Sequence, residues 1–495
     1  MIGSLRLSIL IATVCTLAVS SSAVHIVPTS DARQRVTPNL FGVLEPGPFL
    51  RLRSDFAGID DESGPDLAIA AGNSVIVLVR NSQIVIRSKT GALIASMTVS
   101  RFFDSVRLPS EGPTDPHVIY DGGANRFFFV SAARRTDPNC TLGTCLAHYL
   151  LAVSRTSEPR DLGSNSWYFF SLDRTRDNDV VTTNWGDFDH LGVTDDALVV
   201  ASAKYSMLDD SQQGVKIRIV EKSKLIIGEP ITKWTDITDL TDPVSGKKIN
   251  DRLLPAINLS HSDTFFLVST SGQCRFVIWG MTKLLSTPSL LNRVADGGTC
   301  QSPPDAIQPG GGQAIDVLRV GFNSQPVYRN GSLWVANTIS RDFGSGPVAA
   351  IYATEIDVSR WPDSIRTVQS SIIGEDRVWQ FTPAIMVDSS SNVGIVYARS
   401  SATEFASAYY SGRLATDAVN TLRTGRPLKT GTSVLSRILN GRNRFTDYFG
   451  SASDPADDSI WMLGMYAKDP AITGSWVGNI DLRQQAMFEA RERLR

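Results

Sequence analysis

The chain has 495 residues, 42% of them hydrophobic and 20% charged, a balance that builds a packed core and excludes a disordered chain. Net charge is -2 with no run of Lys or Arg, so the basic face that nucleic-acid binding requires is missing and no nucleic-acid partner is expected.

The chain begins MIGSLRLSILIATVCTLAVSSSA. Arg6 supplies a positive start, Leu7–Val19 is an apolar stretch too short to span a bilayer comfortably, and Ser21 and Ala23 put small residues at a cleavage point. Residues 1–23 therefore read as a signal peptide. The mature chain is expected to be secreted or extracellular, or periplasmic in a bacterial host, with no stable membrane insertion once the signal is removed. Cys15 leaves with it. Cys140, Cys145, Cys274 and Cys300 remain, and an even count in a secreted chain favours disulfides. Three pairings are open; the local one, Cys140–Cys145 with Cys274–Cys300, is expected because each bond closes one loop. With no C-x-x-C and no His cluster, neither a metal site nor a cofactor is expected.

Residues 24–54 are rich in Pro, Ser and Arg, without a period, and read as an N-terminal lead. Beyond them, short runs of Val, Ile, Phe and Tyr bounded by Gly, Pro, Asn and Asp mark strands and turns. Asp66–Gly72, Ser74–Arg80, Gln83–Ser88 and Ala92–Val99 form one four-stranded meander. DPHVIYDGGANRFFFVS starts a second, completed by His148–Ser154 and Ser166–Leu172. Looser repeats follow at His190–Ser206, Thr264–Ser271, Gln325–Thr338, Thr382–Ser401 and Asp447–Ala467. Their spacing, roughly 50 to 70 residues, predicts an all-β fold: a single β-propeller of about seven four-stranded blades over residues 55–482. Residues 483–495 read as a short, exposed helical tail. Two tandem sandwiches would need a linker, and no composition shift provides one. The last block offers only three convincing strands. N-terminal residues between 24 and 60 are expected to pair beside it, because an open ring leaves strand edges unpaired.

The order of PDLAIAAGNSVIVLVRNSQIVIRSKTGALI, DPHVIYDGGANRFFFVS, LLAVSRTSEP, WYFFSL, DFDHLGVTDDALVVAS, FTPAIMVDSSSNVGIVYARSS, YYSGRLATDAVNTL, RFTDYFGSASDPADDSIWMLGMYA and GSWVGNI resembles a family of secreted, uncharacterised bacterial β-propeller proteins of sialidase-like shape. Members usually read Arg-Trp-Gly-Asp-Tyr near the end; here Arg444-Phe445-Thr446-Asp447-Tyr448 lacks the indole and the glycine. The resemblance implies the fold and brings no catalytic residue with it.

Glycoside hydrolysis on a propeller needs two carboxylates flanking a sugar on the channel face. Asp115, Asp187 and Asp447 are the foremost candidates, with Asp195, Asp388 and Asp454 beside them. The competing account makes each Asp the acceptor of a tight turn, and recurrence in every blade favours it. Arg126, Arg319, Arg399, Arg413 and Arg444 could hold a substrate carboxylate. The Ser-x-Asp-x-Gly-x-Thr-Trp box of sialidases is absent, however, and Arg126 and Arg444 are expected to pair with blade-turn carboxylates. Asp60–Asp66 could offer calcium ligands but lacks EF-hand spacing, which favours a solvated acidic turn. Gly310–Gly312 lacks the Gly-Lys-Ser/Thr of a phosphate loop, neither G-x-S-x-G nor H-E-x-x-H occurs, and His190 reads as structural. Sequons stand at Asn139, Asn258 and Asn330, for a host that glycosylates. Two functions stay open: a non-enzymatic propeller binding a carbohydrate or an extracellular protein, which is preferred, and a glycan-active hydrolase. An asymmetric carboxylate pair in one pocket, free of neutralising partners, would discriminate them.

Overall fold

The computed structural model describes residues 49–493, except 61–64, 138, 250–251, 273, 298–299 and 319–321. The signal peptide, most of the lead, the centre of the acidic loop and Arg319 lie outside the described residues.

The protein is an all-β propeller of seven blades built from antiparallel sheets in chain order. Blade one is Leu67–Ala71, Val75–Arg80, Gln83–Ser88 and Leu93–Thr98. Blade two is Glu111–Asp121, Arg126–Arg135, Ala147–Ser154 and Trp167–Asp173. Blade three is Asn184–Val193, Ala197–Ser206, Gln212–Glu221 and Thr235–Thr238. Blade four is Leu253–Pro255, Phe265–Thr270, Arg275–Thr282 and Ser289–Asp296. Blade five is Val327–Arg329, Ser332–Asp342, Pro347–Asp357 and Arg366–Ile373, with Ile257–Asn258 added in parallel at its inner edge. Blade six is Val378–Val387, Val393–Ser401, Ser407–Arg413 and Arg426–Lys429. Blade seven takes Gly450–Ser453, Ile460–Ala467 and Thr473–Ile480 from the end of the chain.

Its fourth strand is Ser54–Ala57, which pairs antiparallel with Thr473–Ile480 from Ser54↔Asn479 to Ala57↔Trp476. The outermost strand of the last blade thus precedes the first blade in sequence, and this pairing closes the ring. Arg80 of blade one strengthens the seam. Fully buried, it donates to the Thr473 carbonyl at 2.9 Å and to the Ile59 carbonyl at 3.3 Å.

Neighbouring blades cover both faces of each sheet, which is why many strands read as continuous apolar runs. All residues of Val75–Arg80 and Ile460–Ala467 are buried. Blade four corrects the sequence reading. Thr264–Ser271 begins the repeat seen in sequence, yet the structure makes Phe265–Thr270 the second strand and Leu253–Pro255 the inner one. Three residues are too few to show a period.

Cys140 is bonded to Cys145 and Cys274 to Cys300. The C-terminal helix, Leu482–Arg493, is docked rather than loose: Gln485 brackets the lead, accepting from the Arg51 amide at 3.1 Å and donating to the Phe49 carbonyl at 2.9 Å. Among the described residues no helix is long and apolar enough to cross a membrane.

Candidate functional site at the channel mouth

The structure divides the six candidate aspartates by position along the inner strands. Asp388 and Asp454 follow the inner strands of blades six and seven and close tight turns. Asp388 accepts the Ser390 and Asn392 amides, each at 2.9 Å, and Asp454 accepts the Ala456 amide at 2.9 Å. Asp195 sits in a comparable turn, exposed, 3.0 Å from His261. Asp388 and Asp454 follow the turn account, whereas in the third turn Thr194 Oγ1 is the acceptor, taking the Ala197 amide at 2.9 Å. Asp115, Asp187 and Asp447 gather instead at the opposite end of the channel, with Asp66.

A repeated backbone device places them. In blades two, three and six the ladder slips between Thr114 and His117, Asp187 and His190, and Phe381 and Ala384. Each bulge carries a left-handed residue: Asp115 at φ 48°, Phe188 at 60° and Thr382 at 51°. A side chain of the preceding blade caps the amide of each one. Asn81 Oδ1 accepts from Asp115 at 2.9 Å, Asp115 Oδ2 from Phe188 at 2.7 Å, and Thr338 Oγ1 from Thr382 at 3.0 Å. Asp115 is therefore a clamp between blades two and three as well as a mouth carboxyl.

Asp66, Asp115 and Asp187 are neighbours in one buried cluster, with Asp447 close enough to act on all three. Burial, then the Asp447 charge, pushes Asp66 up to about 8. Burial and the Asp66 charge push Asp115 up to about 7. Asp187 is raised well above the ordinary carboxyl range, by burial and then by Asp115. Neighbouring buried carboxyls resist ionising together, so at neutral pH the cluster is partly protonated. Asp447 is ion-paired with Arg444, which also lies 3.7 Å from Asp316. Arg252 stacks 3.9 Å over the Phe188 ring, and its charge opposes the rise at Asp187.

Below the carboxyls the axis is plugged by rings. His117 and His190 lie 4.5 Å apart, and His190 is 4.6 Å from Phe188 and 5.1 Å from Tyr448. Burial pushes His190 down to about 3 and His117 well below its usual value, so both imidazoles are neutral. Asp189 does not orient His190; it forms a bidentate pair with Arg174, one arm 2.9 Å long. Gly186 leaves room for that guanidinium, since a Cβ there would lie 1.8 Å from Arg174 Nη2. His190 thus has the structural setting expected of it. Past the plug, the axial cavity lined by His117 and Gln325 holds only about 20 Å³.

Among the described residues the candidate arginines do not converge. Arg399 pairs with Glu375 and Glu404 within blade six, and Arg413 donates to the Asp417 carbonyl. Arg126 bonds the carbonyls of Ala124 and Asn125, not a turn carboxylate as expected. Arg444 pairs with a mouth carboxylate rather than a turn one. Sequence reasoning missed Asp66 and Arg252. Asp66 was absorbed into the acidic loop, although it precedes the inner region of blade one as Asp447 precedes that of blade seven. Asn258 commits its side-chain amide to the Val193 carbonyl at 3.2 Å, whereas Asn139 is exposed.

These shifts have a sign. At these carboxyls the folded protein holds more protons than the unfolded chain up to about pH 7 to 8, so their contribution to stability falls as pH rises; buried neutral His117 and His190 act the other way, but only below the ordinary imidazole value of 6.5. Melting temperature is expected to decline from about pH 6.5 to pH 8, and Asp66→Asn to flatten the slope. A wild-type melting temperature that rises across this window, or an unchanged slope in the variant, would contradict the assignment.

No family model matches the chain, and no curated protein matches it. Solved structures match it only distantly. A GH93 α-L-arabinofuranosidase of Fusarium graminearum, in complex with arabinobiose, is 10% identical with a TM-score of 0.39, over 90% of this chain and 97% of that one. A Trypanosoma rangeli sialidase is 9% identical with a TM-score of 0.37; the match covers 80% of this chain and 56% of the sialidase chain. A protein of unknown function from Dyadobacter fermentans is 11% identical with a TM-score of 0.36, over 88% of this chain and all of that one.

Proposed function

We propose that this is a secreted propeller that binds a small polyhydroxylated ligand, such as a sugar, at the channel mouth without hydrolysing it. The observation that carries the reading is the one-sided carboxyl cluster. Partly exposed Asp187 presents its carboxyl to the mouth, next to the Arg444–Asp447 pair and Arg252. Such a mixture of donors and acceptors suits hydroxyl groups. The two disulfides fit an extracellular setting. The hydrolase reading fares less well on Asp115 and Asp187. Asp115 is committed to capping the Phe188 amide at 2.7 Å, and neither carboxyl stands clear of the other. Asp447, the other candidate, is neutralised by Arg444.

A glycan array and a glycosidase substrate panel test the reading together. Binding by the wild type, weakened about tenfold or more by Asp187→Asn, with no turnover, is the expected result. Turnover abolished by Asp187→Asn or Asp447→Asn would replace it with the hydrolase reading. Binding indifferent to both substitutions would move the site elsewhere.

A further inference from the structure

A second site lies on the rim, far in sequence from the mouth residues of blades two and three. A cavity of about 930 Å³ opens between the lead at Phe49–Arg53, the outer strand of blade six and the C-terminal helix. Its apolar walls are Phe49, Leu52, Tyr410 and Phe488. Phe49 and Phe488 are 41% and 55% exposed, unusual for phenylalanines at the seam of a ring closure.

The charges around it are unequal. Both acidic side chains that line the cavity are occupied. Glu489 receives two bonds from Arg423, which also holds Asp417, while Asp481 accepts the Gln484 amide at 2.9 Å and lies 3.9 Å from Arg53. Arg51 and Arg426 differ. They lean over the rings, Arg426 at 3.5 Å from Phe49 and Arg51 at 5.8 Å from Phe488, and neither has a carboxylate partner among the described residues. An apolar cavity with two uncompensated guanidiniums at its edge complements one kind of molecule.

We propose that this cavity binds an amphipathic carboxylate of the free fatty-acid type, its chain against Phe49, Leu52 and Phe488 and its carboxylate between Arg51 and Arg426. The volume suits a medium-length chain, and the walls are held in place. Tyr410 donates to the Leu50 carbonyl at 3.0 Å, and Gln485 grips the lead from the helix side.

Calorimetric titration of the full chain with decanoate and with decanol tests it. Decanoate is expected to bind about tenfold or more tightly than decanol. The double substitution Arg51→Gln/Arg426→Gln should remove that difference, while Phe488→Ala weakens both. Melting curves of each variant separate loss of the site from loss of the fold. Equal affinity for the two probes, no binding of decanoate, or decanoate binding unaffected by the double substitution would overturn the proposal. So would a dimer on sizing that the same substitutions abolish, which would assign the cavity to a second copy.

Discussion

Asp236→Leu should destabilise the protein by about 3–5 kcal/mol, the cost of stranding a buried charge. Arg218 and Asp236 are both fully buried, and the guanidinium makes two bonds of 2.8 Å to the carboxylate. The rest of Arg218 reaches the carbonyls of Asp173 and Arg176 and stacks 4.4 Å from Trp234. Asp236 also accepts the Asn178 amide at 2.8 Å. Removing the carboxylate leaves a desolvated cation and takes away the acceptor of the Trp234 indole as well. Lys216 beside them would suffer too. Burial already pushes its amine down to about 8, and the Asp236 charge is the largest influence opposing that. The double variant Arg218→Met/Asp236→Leu should recover much of the loss, because an apolar pair carries no desolvation debt. The exposed pair Lys248–Asp239 is the control: Asp239→Ala should cost about 1 kcal/mol or less. Urea unfolding followed by tryptophan fluorescence reads all three. A single variant with an unchanged midpoint would show that this buried pair of blade three contributes nothing to stability.

Removing the chain through Gly58 should lower the melting temperature by about 5 °C or more and make the protein self-associate. The truncation strips Ser54–Ala57 from Thr473–Ile480 and leaves that strand an open edge. It also takes away the Trp476 indole bond to Asp55, 2.8 Å long, and the packing of Phe56 on Trp461, centroids 6.2 Å apart. A gentler probe acts at one atom. A Cβ on Gly58 would lie 2.4 Å from Ser475 Oγ, the hydroxyl that accepts the Ile59 amide at 2.7 Å. Gly58→Val should therefore reproduce part of the loss. Scanning calorimetry and light scattering across a concentration series check both. A truncated chain that melts unchanged and stays monomeric would mean that the seam holds without its fourth strand.

Much of the fold was legible in the sequence because the signals are local. Alternating and continuous apolar runs, Asn-Gly and Asp-rich turns and the spacing of the blocks depend on residues a few positions apart, and the blade count follows from them. Local loop closure likewise favoured Cys140–Cys145 and Cys274–Cys300. Inner strands as short as Leu253–Pro255 escaped because three residues carry no period.

The site was legible only in part. Asp115 and Asp388 look alike in sequence, each an aspartate near an apolar strand. One caps an amide of the next blade and lies buried beside Asp187; the other caps its own turn. Nothing within a few residues of either distinguishes them, since the difference lies in which end of the inner strand faces the channel mouth and which neighbour crosses it. Asp66, Asp115, Asp187 and Asp447 are brought together by the ring itself, and Arg252 joins them from a blade whose inner strand the sequence hid. Local backbone preference determined the strands. Packing between blades decided which carboxyls lose their water, keep their protons and face the mouth.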